Sequence, residues 1–430
     1  MEFRVTNFKS IRDTQVLSMA ASKDTAFEDT HVFNPDGASF KLLKSAAIYG
    51  PNAGGKSNLL RALDFVQSSL FSKRTLAYHF LDKKYKTHPF FKLDMASRNN
   101  PSEFEVTYID KGVRYQYGFS ILGDRVVEEW LLVYKSDKPQ EWFHRSVDEK
   151  TGEDVYKFSS HFKGQKLTWQ KSTRKETFFL AVAANLNSEQ LRPVYRWLMR
   201  LEVLNYNLKT FYLYSQMSSQ LLDYYSIYFK DERYKKNLLN FLIAADVGIA
   251  DFDFETQIVQ GFSAANKEGE FTEHECKRPV FIHPHDGTSE RFEFEEESEG
   301  TMRLFLLAFY ILESLRQGII LIIDELESSL HPKLVRFIIG LFNSSENKNG
   351  AQLIFSTHNT NLLDIKETFR RDQIWFVEKD SSQATVLYPL TDFGPRKEFS
   401  IESGYLTGRY GAIPFVTEFI LDGGESNYGT

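Results

Sequence analysis

The stretch Gly50-Pro51-Asn52-Ala53-Gly54-Gly55-Lys56-Ser57 decides how the rest of the sequence is read, because it fits the phosphate-binding pattern G-x-x-x-x-G-K-[ST] at every fixed position. Its flanks supply the context the pattern needs. Ser45 to Tyr49 are small and apolar enough for a buried strand, and between Ser57 and Phe71 the residues Leu59, Leu60, Ala62, Leu63 and Val66 recur at helical spacing. The reading is strand, loop, helix. Gly50, Gly54 and Gly55 let backbone N–H groups turn toward a polyphosphate lying on the positive end of the helix. Lys56 is the residue to reach the β and γ phosphates, and Ser57 offers its hydroxyl to Mg²⁺.

A chain of 430 residues suggests roughly two or three units of ordinary domain size, and 42% hydrophobic content is enough for large buried cores. The 52 basic and 58 acidic residues leave a net charge of −6, so no whole-chain basic field argues for nucleic acid, and only a local patch is left open. One cysteine, Cys276, excludes an internal disulfide framework and suits a reducing compartment. No apolar run approaches the ~20 residues that span a bilayer, and Met-Glu-Phe-Arg-Val-Thr reads as a strand rather than a signal peptide. The expectation is a cytoplasmic protein with no membrane partner.

Phe3, Val5, Phe8 and Ile11, then Val16, Leu17 and Met19, read as two short strands ahead of the phosphate loop. Beyond the first helix, Phe104, Val106 and Tyr108 alternate with polar residues, Asp110-Lys111-Gly112 turns the chain, and Val113 to Ile121 alternate again. Arg125 to Tyr134, Trp142-Phe143 and Val155 to Phe158 extend this hairpin into a meander. From about Arg174 the period becomes helical, over Phe178 to Ala183, Leu191 to Leu201, Leu221 to Phe229 and Tyr234 to Ala245, and alternation returns from Asp251 to Glu295. The division expected is an N-terminal lobe over 1–165, an inserted helical region over 166–250 and a C-terminal lobe over 251–430, in an α/β P-loop fold with an antiparallel β lobe.

Gly318-Ile-Ile-Leu-Ile-Ile-Asp324-Glu325 has the composition of a buried central strand that delivers two carboxylates at its C-terminal edge. Asp324 is placed to hold Mg²⁺ and Glu325 to polarise an attacking water. Ser298-Glu299-Gly300-Thr301 opens a long apolar helix, Arg303 to Arg316, and offers a second anion site at a helix N-terminus. Ser328-Ser329-Leu330-His331-Pro332 follows the acids, and Leu353 to Ser356 is a further buried strand, leading through Thr357 to His358.

In that order these residues resemble the ABC-type ATPases. The resemblance implies ATP and Mg²⁺ as cofactors, Ser298 and Gly300 as the signature that caps the γ phosphate of the opposite subunit, Ser329 to Pro332 as the D-loop, and His358 as the γ-phosphate sensor beside the catalytic Glu325. The sequence is similar in particular to the small OLD-like ATPases of prokaryotic anti-phage operons, the RloA or AbiLi type, with AriA of PARIS and PtuA of Septu as relatives. Asn7-Phe8-Lys9-Ser10-Ile11, Glu297 to Phe305, Arg371 to Phe376 and Gly408 to Pro414 carry that similarity. It implies a homodimer or higher even-numbered homo-oligomer, acting as the sensor or regulatory subunit that controls a separate effector such as a TOPRIM-like nuclease. Two other readings stand beside it: a slow-hydrolysing scaffold that holds and releases the effector, and an SMC-like DNA-repair ATPase, which the lack of sustained heptads disfavours. The signature is Ser-Glu-Gly rather than Ser-Gly-Gly, and no glutamine loop can be assigned, Gln67 reading as structural.

Other features have plainer readings. His274, Cys276, His283 and His285 have the period-two spacing of metal-ligand pairs, which a polar hairpin edge explains equally well. Glu293, Glu295, Glu296, Glu297 and Glu299 form an acidic run, most of which reads as solvated. Arg370, Arg371, Arg396 and Lys397 are candidate contacts for a partner or nucleic acid, and Arg409 for an oligomer interface.

Overall fold

The computed structural model describes residues 1–35, 38, 40–71, 89–204, 231–262, 271–394 and 400–414, and for 257, 259–262 and 271–276 the backbone alone. β1 (Glu2–Thr6) and β2 (Gln15–Ser18) pair antiparallel, and after the short pair β3 (Val32–Phe33) and β4 (Leu42–Leu43) the chain enters β5 (Ser45–Tyr49). The phosphate loop follows directly and runs into the helix Lys56–Phe71. The meander is β6 (Ser102–Asp110), β7 (Val113–Leu122), β8 (Arg125–Tyr134), β9 (Gln140–Val147) and β10 (Asp154–Phe158). It joins β1 and β2 in one antiparallel sheet, in the order β10-β9-β8-β7-β6-β1-β2. The alternation read from the sequence is the pleat of this sheet.

Three short helices, Lys166–Ser172, Phe179–Asn185 and Leu191–Leu198, come next. Helical spacing predicts continuation to Leu201, but the last of them ends at Leu198 and β11 (Glu202–Leu204) follows. The expected helix over Leu221 to Phe229 lies outside the described residues, and Glu232–Ala244 is helical. β12 (Asp251–Phe262), β13 (Phe271–His285) and β14 (Thr288–Glu293) form an antiparallel sheet that leads into the helix Glu299–Gln317. The chain then alternates through β15 (Ile320–Ile323), the helix Pro332–Phe342, β16 (Gln352–Ser356), β17 (Ile374–Lys379) and β18 (Thr385–Pro389), and ends its described course with the helix Ile401–Leu406.

The second large sheet runs β11-β15-β16-β5-β17-β18, parallel throughout except for the β17–β18 hairpin. Its strands are buried on both faces, which is why they read as unbroken apolar runs rather than alternating ones. The two faces feed different cores. Ala46, Ile48, Ile322, Ile354 and Val377 pack with Leu59, Leu60 and Leu63 of the first helix and with Phe104 and Phe119 of the meander. Ala47, Tyr49, Leu321, Ile323, Leu353, Phe355 and Phe376 pack with Phe305 and Ile311 of the helix Glu299–Gln317 and with Ile338 and Ile339 of Pro332–Phe342. The phosphate-loop helix is thus sandwiched between the two large sheets, and truncating Leu63 to Ala there costs about 2–5 kcal/mol.

A buried ionic cluster fastens the helices that follow the meander to it. Glu129, fully buried, accepts the backbone N–H groups of Phe179 and Leu180 at 2.7 and 2.9 Å and the Tyr117 hydroxyl at 3.0 Å. Arg145 lies 3.8 Å from it and donates to Asp154 at 2.7 Å. Burial raises the Glu129 pKa, and Arg145 opposes that shift.

Candidate active site

The phosphate loop, the two acids and the histidine leave the C-terminal ends of three neighbouring parallel strands, β5, β15 and β16. This is the edge at which open α/β sheets bind ligands. In the loop, Ala53 has a left-handed φ of 63° and Gly55 a φ of 120°, which a side chain would strain. A Cβ at Gly50 would collide with the Val377 carbonyl, and one at Gly55 with the Thr385 side chain. Thr385 in turn donates from Oγ1 to the Gly54 carbonyl at 3.1 Å and shares a hydrogen bond with Ser10 at 2.8 Å, and Asn58 donates to the Ser10 hydroxyl at 2.8 Å. The Asn7-to-Ile11 stretch therefore braces the phosphate loop from behind.

Lys56 is buried and its Nζ folds back on its own loop, donating to the carbonyls of Gly50 at 2.7 Å and Pro51 at 3.1 Å. Burial lowers its pKa to about 8, against the pull of Asp324, Glu325 and Glu327, which favour the ammonium. Near neutral pH the lysine is still mostly an ammonium, held on two carbonyls of its own loop. Ser57 is the second residue of the helix, half-buried.

Asp324 and Glu325 directly follow β15 and are stitched to the end of β16. The Ser356 hydroxyl donates to Asp324 Oδ1 at 2.5 Å and accepts the Glu325 N–H at 2.8 Å. Glu325 has a left-handed φ of 53°, its carboxylate is exposed, and its carbonyl accepts the guanidinium of the buried Arg303 at 2.8 Å. A non-glycine residue is uncommon there, and it is held by the Ser356 and Arg303 hydrogen bonds to its backbone. Hydroxyl and carboxylate oxygens, as on Ser57 and Asp324, are the hard donors that suit Mg²⁺.

His358 lies at the rim of the site, exposed, with its N–H donated to Glu327 Oε1 at 2.5 Å. Partial desolvation and then Lys56 lower its pKa, which favours the neutral imidazole. Ser298 and Gly300 sit differently. Ser298 caps its helix by accepting the Thr301 N–H at 3.1 Å, and Gly300 packs under the Ser329 carbonyl. Among the described residues no hydrogen bond joins Ser298 or Gly300 to residues 50–57. Ser329 has a φ of 56°, and His331 caps the helix Pro332–Phe342 by accepting the Lys333 N–H.

Sequence reasoning missed Ser356, Glu327, Arg303 and Thr385. The available signal for Ser356 was a serine at the end of a buried strand two residues before the histidine. Gln67 donates to the Met199 carbonyl at 3.2 Å, a structural contact.

Other expectations need correction. Arg370 is 1% exposed, pairs through two hydrogen bonds with Asp372 at 2.8 and 2.9 Å, and donates to the Ala26 carbonyl. Its charge is consumed inside the chain rather than offered to nucleic acid. Arg371 lies 3.9 Å from Asp24, and Arg396 and Lys397 lie outside the described residues. Arg409 is exposed, its guanidinium 6.0 Å from the centre of the Tyr410 ring. Glu297 is not solvated: its carboxylate is 7% exposed and bonds His283 Nε2 at 2.5 Å. The side chains of His274 and Cys276 lie outside the described residues, and among the described residues no group of three His, Cys, Asp or Glu could hold a metal ion. No helix of the described residues is long and apolar enough to cross a membrane.

With this geometry in place, comparison with known proteins is informative. The family described as "AAA domain, putative AbiEii toxin, Type IV TA system" matches residues 45–364, from the start of β5 to just beyond His358. Among solved structures, the SMC head domain from Thermotoga maritima is 14% identical, with a TM-score of 0.40, covering 90% of this chain and 97% of its own. The Smc head domain with an extended coiled coil bound to the C-terminal domain of ScpA, from Pyrococcus furiosus, is 14% identical, with a TM-score of 0.41, covering 95% and 98%. No curated protein matches.

Proposed function

This chain belongs to that AAA-domain family and is a P-loop ATPase of the ABC type, and from that premise we propose that it hydrolyses ATP at sites completed only between two copies of itself, as the regulatory subunit of a defence system with a separate effector. Lys56 exchanges its two carbonyl partners for the β and γ phosphates, with backbone N–H groups of residues 50–57 around them. Ser57 and Asp324 would hold Mg²⁺, which when bound would neutralise phosphate charge. Glu325 accepts a proton from the attacking water, and His358, neutral, donates a hydrogen bond to the γ phosphate. Ser298 and Gly300 of a second copy close the site, adding the positive end of their helix where charge develops.

One observation carries this reading: the phosphate loop, both acids and the histidine converge at one sheet edge, while in the same chain Gly300 packs against Ser329 and Ser298 caps its own helix. The defence role rests on the family's description, which names a putative toxin of a Type IV TA system. Its test is ATP turnover measured with and without the product of the neighbouring gene. A partner that binds and changes the rate supports the regulatory role, whereas a partner that neither binds nor alters turnover removes it.

A further inference from the structure

The third carboxylate of the acid loop, Glu327, has no role in the reading above, yet it touches two segments of the site. Its Oε1 accepts the backbone N–H of His358 at 2.5 Å, and its own carbonyl accepts the Leu330 N–H at 2.9 Å, which starts the turn through Ser329. The same carboxylate thus fixes the segment bearing the histidine while its backbone fixes the D-loop that covers Gly300. Its Oε2 is buried without a hydrogen-bond partner. Its charge is felt by Lys56, Arg303 and His358, in each case stabilising the protonated form, and by Tyr49, whose pKa it raises.

We propose that Glu327 is a positioning residue for hydrolysis, coupling the histidine segment to the D-loop so that γ-phosphate contact and engagement of a second copy are set together. The inference rests on the roles given above to Glu325 and His358. A charge-assisted hydrogen bond from a backbone N–H fixes a loop more firmly than a neutral one, and orientation of the γ-phosphate contact bears on the chemical step more than on binding. A carboxylate left half-paired in a partly buried site is costly to keep for packing alone.

The test compares Glu327→Ala and Glu327→Gln with the parental full-length chain, in ATP turnover, in binding of a fluorescent ATP analogue, and in His358 titration by NMR. Glu327→Ala lowers kcat about 10- to 100-fold while KM and analogue affinity stay within about threefold, the scale of one lost charge-assisted bond. Glu327→Gln, which keeps an oxygen for the His358 N–H, recovers part of that loss and shifts the His358 titration to lower pH. A parental kcat in Glu327→Ala overturns the inference. So does equal loss of binding and turnover in both variants, which would make the residue merely structural. Should the alanine variant not fold, the glutamine variant decides: parental kcat together with an unmoved His358 titration overturns the coupling. The assignment of Glu325 is tested separately by Glu325→Gln and survives either outcome.

Discussion

Gly300 lies directly beneath Ser329: a Cβ built on the glycine would stand 2.8 Å from the serine's carbonyl oxygen. The start of the helix Glu299–Gln317 and the loop through Ser329, which has a φ of 56°, are therefore in van der Waals contact within one chain. Whatever moves one moves the other. On the proposed reading, a second copy that gripped Ser298 and Gly300 would also press on the loop that leads back to the acids.

Gly300→Ala tests that contact. The added methyl forces backbone apart in a packed site, which costs about 1–3 kcal/mol. The expected result is a Tm lowered by a few degrees with ATP binding retained and turnover lost in larger proportion. Parental turnover with parental Tm would show that the contact is slack.

Lys56→Ala is expected to abolish nucleotide binding, since the phosphate charge then meets no ammonium. Calorimetry giving unchanged ATP affinity would contradict it. The same residue predicts a pH dependence. Burial lowers its pKa to about 8 from 10.5, so between those values the unfolded chain holds a proton that the folded chain has lost. Stability of the nucleotide-free protein therefore rises with pH across about 8 to 10.5 through this group. Below about 8 the penalty is constant and complete. Thermal melts across that range should show the rise in the parental protein and a smaller one in Lys56→Ala, and identical slopes would place the ammonium in a less buried setting.

Glu325→Gln should bind ATP as the parental chain does and hydrolyse it at least 10²-fold more slowly, because the amide keeps the shape and loses the base. The exposed carboxylate and its left-handed backbone make loss of folding an implausible explanation for such a result. Hydrolysis at the parental rate would move the base elsewhere.

The sequence makes some of this architecture legible for a physical reason. The phosphate loop is a local backbone device, specified by glycines at fixed offsets, and the strand before it and helix after it declare themselves by period. β8, expected at Arg125 to Tyr134, occupies those residues, and the meander follows from strict alternation. Ile320 to Ile323 reads as a central strand because both its faces are buried, Ile322 toward one core and Ile323 toward the other. What stayed hidden depends on partners far away in the chain. Thr385 braces Gly54 from 331 positions away, and Ser10 reaches Thr385 across 375. Arg370 looked like a surface charge because nothing in its own stretch reveals that Ala26 accepts its guanidinium. β11 was hidden for a different reason, since three residues are too few for a period and its pairing with β15 supplies the structure.

The central claim is that each site is closed by Ser298 and Gly300 of another copy, and subunit mixing tests it most directly. A Lys56→Ala chain and a Ser298→Arg chain are each expected to be inactive, one lacking the phosphate-binding ammonium and the other the cap. In a hetero-pair, one site joins an intact phosphate loop to an intact signature, and the other site carries both lesions. The predicted result is that the mixture regains a fraction of parental ATPase activity while neither protein alone has any. If subunit exchange is demonstrated and the mixture remains as inactive as its components, with ATP-bound Glu325→Gln also monomeric in light scattering, closure between copies is contradicted.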